Sequence, residues 1–165
     1  MTRALTRFAL VLCLLVATAG ARARDMSGRL GFGGHLDSGP LGPALSLKYW
    51  VSDFGLQALF SVSAEHSTEE EAGAVEWRPG VRVLYAMTRA RLTNLYTGVG
   101  LSTVLRKSAV DGGNVAYFEL VLGAEHFFGE RLSVAGHVTL SVELGKSPER
   151  GLDSGSWGGS FHYYF

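Results

Sequence analysis

The segment GHVTLSVE, residues 136–143, carries a histidine, two hydroxyls and a carboxylate at alternate positions: His137, Thr139, Ser141 and Glu143. These residue types are the parts of a hydrolase: a nucleophile, its general base and an orienting acid. Period-two spacing puts all four on one face of a strand. The same spacing counts against a working unit. At about 3.3 Å per residue, Ser141 stands roughly 13 Å from His137 along one strand, and a direct Ser–His hydrogen bond needs about 3 Å. Ser133 is equally far on the other side. The expected role is therefore a row of small polar groups lining an interior, with no catalytic residue assigned and no enzyme expected.

The other candidate chemistry is weaker. His35 and His162 fall on the first and last strands of the chain, on faces that turn inward together if those strands meet. Two imidazoles without a recognisable carboxylate nearby fall short of the three or four converging ligands of a metal centre, so no metal and no cofactor is expected. The stretch EHSTEEEAGAVE holds Glu65, Glu69, Glu70, Glu71 and Glu76. It lacks the alternating oxygen ligands and central glycine of a calcium loop and reads as a solvated acidic loop.

The elements that must position these residues are strands. Apolar and small or polar residues alternate through Leu30–Leu36, Leu45–Trp50, Leu56–Ser63, Val81–Ala86, Leu95–Ser102, Tyr117–Glu125, Leu132–Leu144 and Trp157–Phe165. This period-two pattern predicts eight strands and an all-β fold. The connections VSDF, MTRAR and FGER are short. DSGPLGP, AEHSTEEEAGA, KSAVDGGN and GKSPERGLDSGS are more polar and mostly longer. Short and long links in alternation describe an up-and-down antiparallel meander, with both termini at its short-turn end. Eight such strands close in one of two ways: a soluble lipocalin-like carrier, apolar inside, or a transmembrane barrel, apolar outside.

The polar faces decide between them. They combine glycine, serine and isolated charges rather than runs of Lys and Glu, which suits a narrow lumen. Arg29, Lys48, Arg82, Glu119, Glu125 and Glu143 all fall on predicted inward positions. Eight strands enclose only enough room for side chains, and charges held there must pair. A salt-bridged structural plug around Arg82 is expected, in place of a gated ion path. Tyr49, Phe54, Tyr85, Phe127, Phe128 and Phe165 gather near the short-turn end, as an interfacial aromatic girdle does.

The chain starts with Arg3 and Arg7, an apolar run from Phe8 to Thr18, and Ala21-Arg22-Ala23. These are the three parts of a secretory signal peptide, residues 1–23, cleaved after Ala23. The run of eleven residues is too short for a spanning helix, which needs about 20. The whole chain has 15 basic and 15 acidic residues; without Arg3, Arg7 and Arg22, residues 24–165 have 12 and 15, a net of −3. That balance excludes a nucleic-acid partner. Cys13, the only cysteine, leaves with the signal, so no disulfide staples the single remaining domain.

The last residues alternate aromatics outward at Phe161, Tyr163 and Phe165. This ending resembles the closing strand of bacterial outer-membrane β-barrels, and KYWVSDFGLQALF, NLYTGVGLS and LVLGAEHFFGERLSVAG resemble strand segments of the small OmpA/OmpX-like family. The resemblance implies export to the Gram-negative outer membrane. It implies contact with outer-membrane lipid and lipopolysaccharide, and reading of Phe161, Tyr163 and Phe165 by the barrel-assembly machinery. The implied role is structural or surface-binding, through loops facing out of the cell, for a ligand the sequence does not name. A second resemblance, to outer-membrane lipid A deacylases, fails where that family has His-x-Ser, because Thr139 stands two beyond His137. The alternatives to a surface role are thus a lipid A modifying hydrolase and a lipocalin-like periplasmic carrier.

Overall fold

The structure is a computed structural model and describes residues 26–64, 75–90, 92–107, 114–144 and 154–165. The expected signal peptide, Glu65, Glu69, Glu70, Glu71 and the link at 145–153 lie outside the described residues.

Eight strands form one closed antiparallel barrel in sequence order. They are β1 Leu30–Asp37, β2 Ala44–Val51, β3 Phe54–Ala64, β4 Val75–Arg89, β5 Thr93–Lys107, β6 Val115–Phe128, β7 Leu132–Leu144 and β8 Ser154–Tyr164. Closure runs from Gly31 opposite Tyr164 to Asp37 opposite Gly158, and the Phe165 amide adds a hydrogen bond to the Leu30 carbonyl at 3.0 Å. No strand is left with an open edge, which is the condition for placing β-structure in hydrocarbon.

Three tight turns join β2 to β3, β4 to β5 and β6 to β7 at the end where β1 begins and β8 ends. Ser52 takes a positive φ of 50° in the first of these, and its carbonyl accepts from the Arg89 guanidinium. Gly129, at φ 68°, turns β6 into β7. Six of the strands run 11 to 15 residues, enough to cross a bilayer when tilted, which takes about 9–11 residues.

Strand limits differ from the sequence reading chiefly in β4 and β5. The alternation is legible from Val81, but β4 begins at Val75 and carries Pro79 opposite Phe60. Glu76 is therefore a strand residue rather than part of the acidic loop, and it is held by Arg78 and Arg106. A register shift between Ala86 and Thr88 marks a bulge near the turn end of β4.

Polarity is the inverse of a soluble carrier. β7 alternates strictly between exposed and buried along Leu132–Ser141, with Leu132, Val134, Val138 and Leu140 outside and Ser133, His137, Thr139 and Ser141 inside. Leu45, Leu47, Leu56, Val81, Val83, Leu101, Leu120 and Leu122 likewise face outward. Tyr49, Phe54, Tyr85, Phe128 and Phe165 stand on the outer surface toward the turn end. Phe127 does not: it is 1% exposed and points inward, in phase with Val121 and Glu125. It joins Met26, Trp50, Leu84, Tyr96 and Tyr164 in a cluster that fills the interior near the turns.

Candidate functional site

The interior above that cluster is filled with charged and polar side chains, arranged in two centres. The first lies toward the turns. Lys48 Nζ is 3.3 Å from Glu125 Oε2, with both side chains at most 1% exposed. Glu125 Oε1 accepts from Ser133 Oγ at 2.6 Å and from Tyr164 Oη at 2.9 Å. The Lys48 ammonium also lies 5.3 Å from the centre of the Tyr96 ring. Beside it, Ser46 Oγ sits between His162 Nε2 at 2.8 Å and Gln57 Nε2 at 2.9 Å. Lys48 is on β2 and Glu125 on β6, so this pair ties opposite walls of the barrel.

The second centre is built on Arg82. In sheet register Arg82, Gly100 and Glu119 are consecutive across β4, β5 and β6. A Cβ at position 100 would come 2.7 Å from Arg82 Cγ, so glycine there lets the arginine lie across β5. Arg82 Nε then donates to Glu119 Oε2 at 2.7 Å, while Ser102 Oγ donates to Glu119 Oε1 at 2.6 Å. The far side of the guanidinium reaches β1, with Nη2 3.5 Å from Asp37 Oδ2 and Nη1 3.4 Å from His35 Nε2. His137 completes the group. Its ring stacks on His35 at 4.7 Å between centroids and 13° between planes, and its Nε2 is 3.5 Å from Asp37 Oδ2.

The six charges assigned to the lumen from sequence therefore divide. Lys48, Arg82, Glu119 and Glu125 are buried and paired inside the barrel. Glu143 lies toward the loop end of β7, half-buried and opposite Tyr117. Arg29 takes part in neither centre: it precedes β1, is half-buried, and its guanidinium donates to the Glu130 carbonyl at the turn end at 3.0 Å.

Asp37 is the functional group that the sequence reading missed. It opens a Ser-Gly-Pro stretch and looks like a loop residue, yet β1 extends to it and the i, i+2 spacing places it on the inner face with His35. The expectation that no carboxylate stands near the inward histidines is thus corrected. His35 and His162 both face inward on paired strands, but they serve different centres: His35 stacks on His137, and His162 belongs to the Lys48–Glu125 centre, its Nδ1 3.8 Å from Glu125 Oε1. The hydrolase-like row on β7 does not act together either. His137 faces Asp37, and the Thr139 and Ser141 hydroxyls make no hydrogen bond among the described residues.

Phe161, Tyr163 and Phe165 point outward along the seam where β8 meets β1, at 56%, 40% and 72% exposure.

A closed antiparallel barrel with an apolar exterior and a charged, filled interior is a transmembrane β-barrel of outer-membrane type. Among solved structures, the chain is similar to that of Ail, the attachment invasion locus protein of Yersinia pestis, at 13% identity and a TM-score of 0.43, over 83% of this chain and 95% of that one. No family model and no curated protein matches the chain.

Proposed function

We propose that this protein is a sealed outer-membrane barrel that works as a structural anchor and presents the links of its long-loop end for binding at the cell surface. The observation that carries this reading is the cross-barrel pairing of Lys48 with Glu125 and of Arg82 with Asp37, beside the Arg82–Glu119 pair that lies over β5. An eight-stranded barrel has room for side chains and little else. With its interior occupied, recognition falls to the links on the rim. The lipid-facing belt of Leu, Val and aromatic residues would contact outer-membrane lipid and lipopolysaccharide. Outward Phe161, Tyr163 and Phe165 on the closing strand would be the face read by the assembly machinery.

Planar-bilayer recording on the refolded protein tests the sealed lumen: no steady channel current is expected, and a stable ohmic conductance would overturn it. Replacement of residues 65–74 or 145–153 by a short Gly-Ser link should abolish cell-surface binding while the barrel still folds. Retained binding in both replacements would sink the loop-presenting role.

A further inference from the structure

We propose that His35, Asp37 and His137 form a three-ligand site inside the barrel for a divalent transition-metal ion of the zinc class. The donor atoms lie within 4.8 Å of one another. Both imidazole Nε2 atoms are 3.5 Å from the same Asp37 oxygen. In a tetrahedral shell with metal bonds of about 2.0–2.1 Å, neighbouring donor atoms stand about 3.4 Å apart, so two edges of such a shell already have nearly the right length. Two imidazoles and one carboxylate suit zinc, copper or nickel rather than calcium or magnesium, which take oxygen ligands.

Three further observations point to a ligand here. His137 Nε2 is buried, in a side chain 1% exposed, and its 3.5 Å approach to Asp37 Oδ2 is too loose for a well-formed hydrogen bond, with no other partner among the described residues. A native structure rarely leaves such an atom so poorly satisfied. The ring lies against the bare backbone of β8, where a Cβ at Gly158 would come 2.5 Å from that nitrogen. Loopward of it, Thr139 and Ser156 occupy paired positions on β7 and β8, and the Thr139 hydroxyl has no hydrogen-bond partner among the described residues, which supplies polar surroundings for an open coordination position.

Charge favours a cation as well. With the contacting imidazoles of His35, His137 and His162 counted as neutral, Asp37, Glu119 and Glu125 face only Lys48 and Arg82 among the described charged side chains at most 2% exposed, so the plug carries one negative charge in excess. Buried charge of that kind calls for a counter-charge. Arg82 is the competing group, since its Nη atoms touch Asp37 and His35. Its Nε bond to Glu119 leaves it an anchor on the far wall when those contacts are given up.

The test uses residues 24–165 refolded in detergent, with zinc followed by calorimetry and cobalt as a spectroscopic probe. The expected result is one equivalent of zinc bound, and a cobalt visible absorption of low-symmetry character that zinc displaces and calcium does not. His137→Ala and Asp37→Asn should each weaken zinc by more than the roughly 10–100-fold that outer-shell changes cause. The heat-dependent gel shift verifies that each variant folds, and His137→Gln replaces His137→Ala if that variant does not. Absence of cobalt absorption in the wild type would overturn the site. So would zinc affinity unchanged in either folded variant, which would place the ion elsewhere, for instance on the acidic stretch at Glu69–Glu71.

Discussion

The two charge centres in the lumen are made of the same residue types and are finished to different degrees. Around Lys48 and Glu125, both carboxylate oxygens are engaged, by an ammonium, a serine and a tyrosine, and His162 Nδ1, 3.8 Å from Glu125 Oε1, is the atom of this centre left without a hydrogen bond among the described residues. Around Arg82, one carboxylate is fully engaged, but the region toward the loops holds atoms on His35, His137, Thr139 and Ser141 without a well-formed hydrogen bond among the described residues. A fully satisfied buried network rigidifies its surroundings, whereas a half-satisfied one is kept only if something else uses it. The turn-side centre is thus the structural clasp of the barrel. The loop-side centre combines a clasp, Arg82 with Glu119, with a set of ligands.

Substitutions can break or sharpen this contrast. Arg82→Ala should have the largest effect, because it strands Glu119 and Asp37 together. A loss of about 3–5 kcal/mol is expected, read as a fall in the urea midpoint of the refolded barrel. An unchanged midpoint would show that Arg82 is not the centre of the plug. Gly100→Ala comes next. Its Cβ would meet Arg82 Cγ at 2.7 Å and the Val81 carbonyl at 3.0 Å. Overpacking of this kind typically destabilises by about 1–3 kcal/mol, and the same unfolding titration measures it.

The paired replacement Lys48→Met with Glu125→Gln removes the turn-side charges together. It should alter stability by only about 1 kcal/mol, since removing both members of a buried pair is often neutral. A loss as large as that of Arg82→Ala would mean the two centres are not different in kind. The smallest effect belongs to Thr139→Val, which deletes a hydroxyl with no hydrogen-bond partner among the described residues and preserves shape. Stability within about 0.5 kcal/mol of wild type is expected by differential scanning calorimetry. A clear destabilisation would reveal a partner for that hydroxyl and weaken the case for an unfinished centre.

The strands were legible in the sequence because alternation is the direct imprint of a wall with hydrocarbon on one side and packed polar groups on the other. The early part of β4 was hidden by Pro79, which donates no amide to a ladder, and by Gly80, so Glu76 read as loop. Parity alone brought Lys48, Arg82, Glu119 and Glu125 inside. It could not say which cation meets which carboxylate, because those pairs depend on register and tilt. Parity also grouped Arg29 with the lumen charges, one residue before pairing begins, where its side chain reaches the Glu130 carbonyl instead. Place near the short-turn end puts Phe127 beside Phe128 in the expected girdle, although its phase with Val121 and Glu125 marks it as inward. Asp37 was obscured by the Ser-Gly-Pro that follows it, a turn signal in most contexts. Had β1 been carried one step past Leu36, the His35–Asp37 pair would have been visible as an i, i+2 couple.

The barrel's defining property is an apolar exterior around a charged interior. The most direct test is the mobility of the protein from an isolated outer-membrane fraction, compared on gels with and without boiling. The protein should be found in that fraction, resist cold detergent and shift only when heated. Recovery as a soluble protein with no heat-dependent shift would contradict the inverted barrel.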